Sequence, residues 1–197
     1  MLILKKPTFS EFMVKNSRFI AEAFPVSTPE AARELWQNQK IKYDNGGHIV
    51  YAFITGPQGN IMGCSDDGEP SGTAGRPMLA VLKGSGITNI IITAARWFGG
   101  TKLGTGGLVR AYSDCARAAL ENAETAELIS MTGLQITLNY QHYELLKRLF
   151  AEHGFEITEE IFDSKINIRG KINTAISTQF KSEITELTGG QAVFFEQ

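Results

Sequence analysis

The pattern that decides the fold begins at residues 134–140, Leu-Gln-Ile-Thr-Leu-Asn-Tyr, where apolar side chains alternate with polar ones. Alternation with period two is typical of a strand with one buried face. Apolar side chains then follow at helical spacing, at Leu145, Leu146, Leu149 and Phe150. Gly154 supplies the residue that commonly follows the end of a helix. The sequence therefore predicts a strand followed by a helix.

The pattern continues to the end of the chain. Two alternating runs meet at Asp163-Ser164, which predicts a hairpin. Asn173 is a candidate cap for a helix whose apolar face is formed by Ile176, Phe180, Ile184 and Leu187. Gly189-Gly190 leads into a last predicted strand, Ala192 to Phe195. The resulting order, β-α-β-β-α-β, is that of the ferredoxin-like split motif.

The residues before this pattern have a different composition. Fifteen of the twenty glycines lie between Gly46 and Gly107, whereas the chain after Ser130 has five. The net charge is +1 up to Ile129 and −3 beyond it. We therefore predict two domains, residues 1–129 and 130–197, joined near Glu124 to Ser130.

The first region also mixes strands and helices. Strands are predicted at Ser17 to Phe24, His48 to Thr55, Ile61 to Ser65 and Ile87 to Phe98. Thr28-Pro29 opens a helix that Asp44-Asn45-Gly46-Gly47 stops, with Leu35 and Trp36 on its buried side. Met78, Leu79 and Leu82 predict a short helix closed by Gly84. Leu108, Tyr112, Ala116, Ala119 and Ala123 predict a helix of about four turns. The fold class is α+β.

Composition excludes several classes of protein. The chain has 197 residues, a net charge of −2 and a pI near 6.0, which argues against wrapping nucleic acid by bulk charge. Two cysteines, Cys64 and Cys115, supply neither a disulfide framework nor a four-thiolate zinc site. No apolar stretch approaches the roughly 18 residues of a membrane span, and residues 1–7 do not resemble a secretory signal. The expected location is the cytoplasm, with no membrane partner.

Two loops carry the candidate chemistry, and the first is acidic. Residues 65–77 read Ser-Asp-Asp-Gly-Glu-Pro-Ser-Gly-Thr-Ala-Gly-Arg-Pro. Its three carboxylates, Asp66, Asp67 and Glu69, suit a hard cation or the orientation of an amine or hydroxyl. The alternative is a solvated turn, and the spacing does not match a calcium loop.

The second loop is rich in glycine and runs from Arg96 to Arg110, between a predicted buried strand and a helix N-terminus. Glycines such as Gly104, Gly106 and Gly107 let backbone N–H groups approach a phosphate, and the helix dipole favours an anion there. The basic side chains in this loop are Arg96, Lys102 and Arg110. The loop matches neither a Walker motif nor a dinucleotide fingerprint. Tight backbone packing and a salt-bridged face of Arg110, Asp114 and Arg117 are the alternatives.

Three further features are weaker signals. His48 is a general-base candidate if it lies beside either loop, although a lone histidine at a strand end is more often structural. Trp97 and Phe98 would stack on bases only if exposed, and core packing is at least as compatible with their position. The cysteines lack any Cys-x-x-Cys motif, so thiol chemistry is weakly supported.

Taken together, three segments resemble the IMPACT family in its bacterial, YigZ-like form. They are Ser17-Arg18-Phe19-Ile20, residues 65–77, and residues 96–112 with Leu-Gly-Thr-Gly-Gly-Leu-Val-Arg-Ala-Tyr at 103–112. The resemblance implies a ribosomal protein S5 domain 2-like fold for residues 1–129. For residues 130–197 it implies a ferredoxin-like fold, similar to the carboxy-terminal domain of elongation factor G.

The resemblance also implies a function. Eukaryotic members look like translational regulators that keep the amino-acid-starvation kinase from its activator, by means that include an additional amino-terminal domain. For bacterial members it implies binding to RNA, the ribosome or a protein of the translation machinery. No established reaction, cofactor, metal or DNA partner is implied.

We therefore expect a ligand-binding site in the first domain, formed by both loops and without a catalytic role. Its expected residues are His48, Asp66, Asp67, Glu69, Thr73, Arg96, Lys102, Gly104, Gly106, Gly107 and Arg110. The three basic residues would contact phosphate, and Thr73 would cap or donate. The alternative is an enzyme, either a kinase-like phosphotransferase or a hydrolase, that uses the same two loops.

Overall fold

The computed structural model describes residues 1–43 and 47–196, and in these residues helices and strands are mixed. They form two compact units, Met1–Leu128 and Ile129–Gln197. The strands of the first unit are β1 (Leu2–Leu4), β2 (Thr8–Val14), β3 (Ser17–Pro25), β4 (His48–Thr55), β5 (Ile61–Ser65), β6 (Ile87–Thr88), β7 (Ile90–Trp97) and β8 (Thr125–Glu127). Its helices are α1 (Pro29–Lys42), α2 (Gly75–Gly84) and α3 (Gly104–Glu121).

The main sheet of the first unit has the order β2-β3-β7-β4-β5, and its paired strands are antiparallel. Central strand β7 is buried along nearly its whole length, because helices cover both faces of the sheet. Phe19, Val50 and Ile92 on one face pack with residues of α2 and α3. Phe53 and Ile91 on the other face pack with residues of α1. This layering places the start of α3 beside the end of β7.

Local chemistry explains how the helices of this unit begin. The Thr28 hydroxyl accepts from the backbone N–H of Ala31 at 3.1 Å, with Pro29 at the start of α1, as the sequence predicts. Helix α1 ends at Lys42, while Asp44, Asn45 and Gly46, where the sequence places its stop, lie outside the described residues. Helix α2 ends at Gly84, as predicted.

One predicted strand is wrong. The run from Ile87 to Phe98 is divided at Asn89, whose φ of +54° lies in the left-handed region. Residues before Asn89 form β6, which pairs with β1 in a smaller sheet of order β6-β1-β8. Residues after it form β7 of the main sheet. The Asn89 side chain accepts from the backbone N–H of Gly56 at 3.0 Å, which fixes the break.

The second unit contains β9 (Met131–Leu138), α4 (Tyr140–Glu152), β10 (Glu156–Phe162), β11 (Ile166–Asn173), α5 (Ser177–Leu187) and β12 (Val193–Glu196). Its antiparallel sheet has the order β10-β11-β9-β12. The apolar positions of β9 and β11 pack with those of α4 and α5 in one core. The order β-α-β-β-α-β is as the sequence predicts.

Some boundaries in this unit differ from the prediction. Tyr140 begins α4 instead of ending β9. Asn173 caps a short 3-10 turn, Thr174–Ile176, by accepting from the N–H of Ala175, and α5 follows that turn. Leu145 and Leu187, predicted on buried faces, are exposed. In the first unit Ala123 likewise lies beyond the end of α3.

Candidate functional site

Asp66 folds the acidic loop around its own carboxylate. One oxygen accepts from the N–H of Gly72 at 2.7 Å, and the other accepts from Ala74 at 3.0 Å and Gly75 at 2.8 Å. The last two donors belong to the start of α2, so Asp66 caps that helix from eight residues upstream. Burial opposes ionisation of Asp66, but these three donors, helped by Arg76, outweigh it and lower its pKa.

Asp67 is held in the left-handed region, with φ of +40°. Its carboxylate pairs with Lys40 Nζ of α1 at 2.7 Å and accepts from the N–H of Ile49 at 2.7 Å. Left-handed backbone at a residue other than glycine costs on the order of 1 kcal/mol, which these two contacts offset. The loop is thereby tied to α1 and β4.

The turn at Asp67 orients His48. The Asp67 carbonyl oxygen lies 2.7 Å from His48 Nδ1. Because a carbonyl only accepts, Nδ1 is the donor, and in the neutral imidazole the lone pair is on Nε2. The neighbouring Gly68 has φ of +86°, and a Cβ there would lie 3.2 Å from the imidazole ring.

Glu69 joins the acidic loop to the glycine-rich loop. Its Oε1 accepts from Arg96 Nη1 and from the Tyr112 hydroxyl, each at 2.7 Å. The side chains of Glu69 and Arg96 are 3% and 8% exposed, so this is a buried ion pair. Burial raises the pKa of Tyr112, and the adjacent Glu69 carboxylate raises it further, so the hydroxyl stays protonated as a donor.

Arg96 also contacts the surroundings of the pair. Its Nη2 lies 3.4 Å from the Ser17 hydroxyl, and its Cζ lies 5.8 Å from the centre of the Phe19 ring and 5.7 Å from that of Phe98. Its buried Nε donates to no described residue. Arg96 therefore lies beneath Phe98 and carries a donor for which the described residues provide no acceptor.

The glycine-rich loop leads directly into α3. Gly100 and Gly104 have φ of +84° and +74°, conformations that few other residues adopt. Leu103 precedes the helix, and no side chain of the described residues caps its first turn. The N–H groups of that turn and the positive end of the helix dipole are therefore open to an anion.

These elements surround a cavity of about 550 Å³, which we call the α3 cavity. It is lined by His48, Glu69, Pro70, Arg96, Phe98, Lys102, Leu103, Gly104, Thr105 and Leu108. The walls combine one histidine, the buried ion pair, an exposed lysine, a helix N-terminus and several apolar side chains. Such a mixture suits a ligand with an anionic group and an apolar or aromatic part.

The predicted site residues occupy three different places. His48, Glu69, Arg96, Lys102 and Gly104 line the α3 cavity. Asp66 and Asp67 lie behind it and shape the acidic loop. Gly107 and Arg110 line a second cavity, and a Cβ at Gly106 would meet nothing within 4 Å.

Thr73 is directed into its own loop. Its hydroxyl donates to the Pro70 carbonyl at 2.6 Å, and its N–H donates to the same oxygen at 3.0 Å. The residue is buried and does not line the α3 cavity. Its contacts fix the turn that carries Glu69.

Several residues of the site were not singled out by the sequence. Tyr112 appears there only as a core position, Leu103 as a loop residue, and Lys40 not at all. Phe98 was expected to pack in the core at least as readily as to stack, but its side chain is 58% exposed. The exposure arises because β7 ends at Trp97, so Phe98 already belongs to the loop.

The acidic loop is not a solvated turn. Each of its three carboxylates accepts from its own set of protein donors, and Glu69 is buried. Within residues 1–43 and 47–196, no group of three or more His, Cys, Asp or Glu is placed to hold a metal ion. Burial raises the pKa of the Cys64 and Cys115 thiols, which disfavours the reactive thiolate. No described helix is long and apolar enough to cross a bilayer.

Comparison with known proteins places these loops in a family. The model of the Impact N-terminal domain matches residues 15–120, which include both loops. A second model, a domain of unknown function (DUF1949), matches residues 136–191. The chain belongs to the IMPACT family. The family resemblance seen in the sequence is thus confirmed.

Similar proteins extend the match over nearly the whole chain. An IMPACT family member of Haemophilus influenzae is 35% identical over 194 residues, covering 98% of this chain and 94% of that protein. YigZ of Escherichia coli is 30% identical, with 90% and 88% covered. Mouse protein IMPACT is 31% identical over 113 residues, which cover 54% of this chain and 34% of that protein.

A solved structure has the same fold. A crystal structure described as that of a hypothetical protein superposes with a TM-score of 0.74 at 29% identity. The match covers 98% of this chain and 95% of that one. The mixed arrangement of helices and strands is therefore shared by a relative over its full length.

Proposed function

We propose that this IMPACT family protein is a translation-related regulator in the cytoplasm whose first unit binds single-stranded RNA in the α3 cavity. The observation that carries the proposal is the uncapped first turn of α3 beside the exposed side chains of Lys102 and Phe98. These features provide, within one cavity, the two kinds of contact that single-stranded nucleic acid needs.

The first kind of contact is with phosphate. Open N–H groups at Gly104 and Thr105 would donate to phosphate oxygens, and the helix dipole adds roughly 0.3–1 kcal/mol at an exposed site. Lys102 lies on the same cavity wall and adds a full positive charge. Phosphate is therefore favoured over a carboxylate, because it offers more acceptor oxygens to these donors.

The second kind of contact is with a base. Phe98 presents an exposed ring next to the phosphate-binding groups. Stacking on such a ring contributes roughly 1–3 kcal/mol per base and requires no particular sequence. Arg96, 5.7 Å below the ring, positions Phe98, while its pairing with Glu69 leaves little charge to offer a phosphate.

The wider role follows from the family. Its resemblance implies regulators of translation, and a single-strand site is compatible with RNA, the ribosome or a protein of the translation machinery as the physiological partner. We further propose that the first unit, residues 1–129, has a ribosomal protein S5 domain 2-like fold. The second, residues 130–197, would be a ferredoxin-like domain, which its strand order β10-β11-β9-β12 supports.

Binding of a fluorescein-labelled octauridylate, followed by anisotropy at low salt, tests the proposal. Lys102→Ala and Phe98→Ala should each weaken binding at least fivefold, since each removes one kind of contact. The matched control is Lys83→Ala, an exposed lysine at the end of α2 that lines none of the described cavities. Equal affinity of all four proteins, or no binding by the wild type, would contradict the proposal.

The orientation of His48 favours a second candidate, a phosphotransferase or hydrolase. Its Nε2 carries the lone pair in the neutral ring, and the residue lines the same cavity as the helix N-terminus. A hydroxyl or water bound there would lose its proton to Nε2 as it attacks a phosphorus. Calorimetry with ATP and Mg²⁺, followed by product analysis, tests it: turnover that His48→Gln abolishes would establish an enzyme.

A further inference from the structure

A second cavity borders the first turn of α3, and its lining is basic. It has a volume of about 350 Å³ and is lined by Val14, Lys15, Leu103, Gly107, Arg110, Ala111 and Asp114. We infer that this cavity, the hairpin cavity, binds a second phosphate of the same RNA strand through Lys15 and Arg110. The inference rests on the proposed function and specifies its ligand as a chain with at least two phosphates.

The position of Lys15 is fixed by a tight turn. Strands β2 and β3 pair up to Val14 and Ser17, so Lys15 and Asn16 alone form the loop between them. Their φ values are +44° and +67°, as in the turns that suit two-residue hairpins. Glycine and asparagine are the usual residues there, and lysine is strained. The turn therefore holds a lysine where no local preference calls for one.

The hairpin tip packs against the glycine-rich loop. A Cβ on Gly99 would lie 1.9 Å from the Asn16 carbonyl oxygen, so the two backbones are in direct contact. The N–H of Gly99 also lies 3.4 Å from the Ser17 hydroxyl. Because of this contact, Lys15 is held beside the loop that carries Lys102.

The charges in the hairpin cavity are unbalanced. Among the salt bridges of the described residues, none involves Lys15, Lys102 or Arg110. The acidic side chain in the lining, Asp114, is already paired with Arg117 at 2.7 Å. Lys15 and Arg110 therefore retain a net positive charge that an anionic ligand would neutralise.

Leu103 makes the two cavities neighbours, since it lines both. One lies on the side of Phe98 and Lys102, and the other on the side of Lys15 and Arg110. A single strand that crosses Leu103 places a phosphate beside each basic group, whereas a mononucleotide occupies only one. The site thus selects a polynucleotide by its length.

Two probes, uridine 5′-monophosphate and octauridylate, test this inference with the full chain. We expect Lys15→Ala/Arg110→Ala to weaken octauridylate binding roughly tenfold and to reduce its log–log salt slope by about 1.4, for two lost phosphate contacts. Affinity for the monophosphate should stay unchanged. Lys102→Ala should weaken both probes, and Lys83→Ala/Arg33→Ala, on α2 and α1, is the matched control.

The outcomes separate the inference from the proposed function. If the Lys15→Ala/Arg110→Ala protein binds octauridylate with wild-type affinity and slope while Lys102→Ala does not, the hairpin cavity is no RNA subsite and the α3 cavity stands. Tighter binding of an octaglutamate peptide than of octauridylate would overturn it in favour of an acidic protein partner. Absence of binding to either nucleotide probe overturns both proposals.

Discussion

Arg96 of β7 and Glu69 of the acidic loop form an ion pair in which Nη1 and Oε1 lie 2.7 Å apart, both side chains being more than nine-tenths buried. Tyr112 of α3 donates to the same oxygen at 2.7 Å. Three elements that are distant in sequence therefore meet at one carboxylate. The α3 cavity depends on this point, since the pair lies in its wall.

Glu69→Gln should destabilise the first unit by about 3–5 kcal/mol, because it leaves the Arg96 charge buried without a counter-charge. Both tryptophans, Trp36 and Trp97, lie in this unit, so their fluorescence during urea unfolding reports on it alone. The control is Glu30→Gln, from an exposed pair with Arg33 at 3.7 Å, which should change stability by less than about 0.5 kcal/mol. Similar small losses in both variants would show that the buried pair does not hold the site together.

Tyr112→Phe tests the other contact of the same carboxylate. It removes a hydrogen bond to a charged acceptor and leaves the ring packed against Phe19, 5.5 Å away. We expect a loss of about 1.5–3 kcal/mol in the free energy of unfolding, by the same tryptophan measurement. A neutral substitution would mean that Arg96 alone satisfies Glu69.

Asp66 should make the stability of the first unit depend on acid. Its pKa is lowered in the folded state, so its contribution is complete above the unfolded value of about 4 and is lost as the pH falls through the lower folded value. Urea unfolding at several pH values from 7 to 2.5 measures it. Asp66→Asn should cost about 1 kcal/mol at pH 7, as a lost helix cap, and should flatten the acid limb. An acid limb identical to that of the wild type would place the sensitive group elsewhere.

Two glycines of the second loop should respond in opposite ways to alanine. At Gly99 the added Cβ would lie 1.9 Å from the Asn16 carbonyl oxygen, so Gly99→Ala should cost about 3 kcal/mol or more. At Gly106, within α3, the Cβ meets nothing within 4 Å, and alanine should stabilise the unit by about 0.4–1 kcal/mol. Thermal unfolding of both variants is the measurement, and the reverse order of stabilities would contradict the packing of the loop.

The sequence predicts those elements whose periodicity is strong. Strands β3 and β4, the cap of α1 and the order of elements in the second unit follow from alternation, from Thr28-Pro29 and from glycine positions. It does not reveal β1 and β8, which have three residues each, or β2, whose apolar Phe9 and Met13 are exposed. Asn89 divides an apolar run between two sheets through one backbone angle, which residue type alone does not determine.

Both loops of the candidate site are visible in the sequence, but the pairing of their side chains is not. Arg96 looks like a phosphate ligand until Glu69, 27 residues away, is found to neutralise it. Lys15 has no signal, because its proximity to α3 depends on the contact between the hairpin and Gly99. Long-range contacts of this kind arise from the packing of the sheet and helices, which local patterns do not encode.

The salt dependence of octauridylate binding tests the central claim most directly, that basic groups around the start of α3 bind RNA phosphates. Lys15, Lys102 and Arg110 predict three phosphate contacts and a log–log slope of about −2, so affinity should fall roughly twentyfold between 50 and 200 mM salt. Replacing all three with alanine should bring the slope close to zero. Salt-independent binding, or an unchanged slope in the triple variant, would contradict the account and move the binding site away from α3.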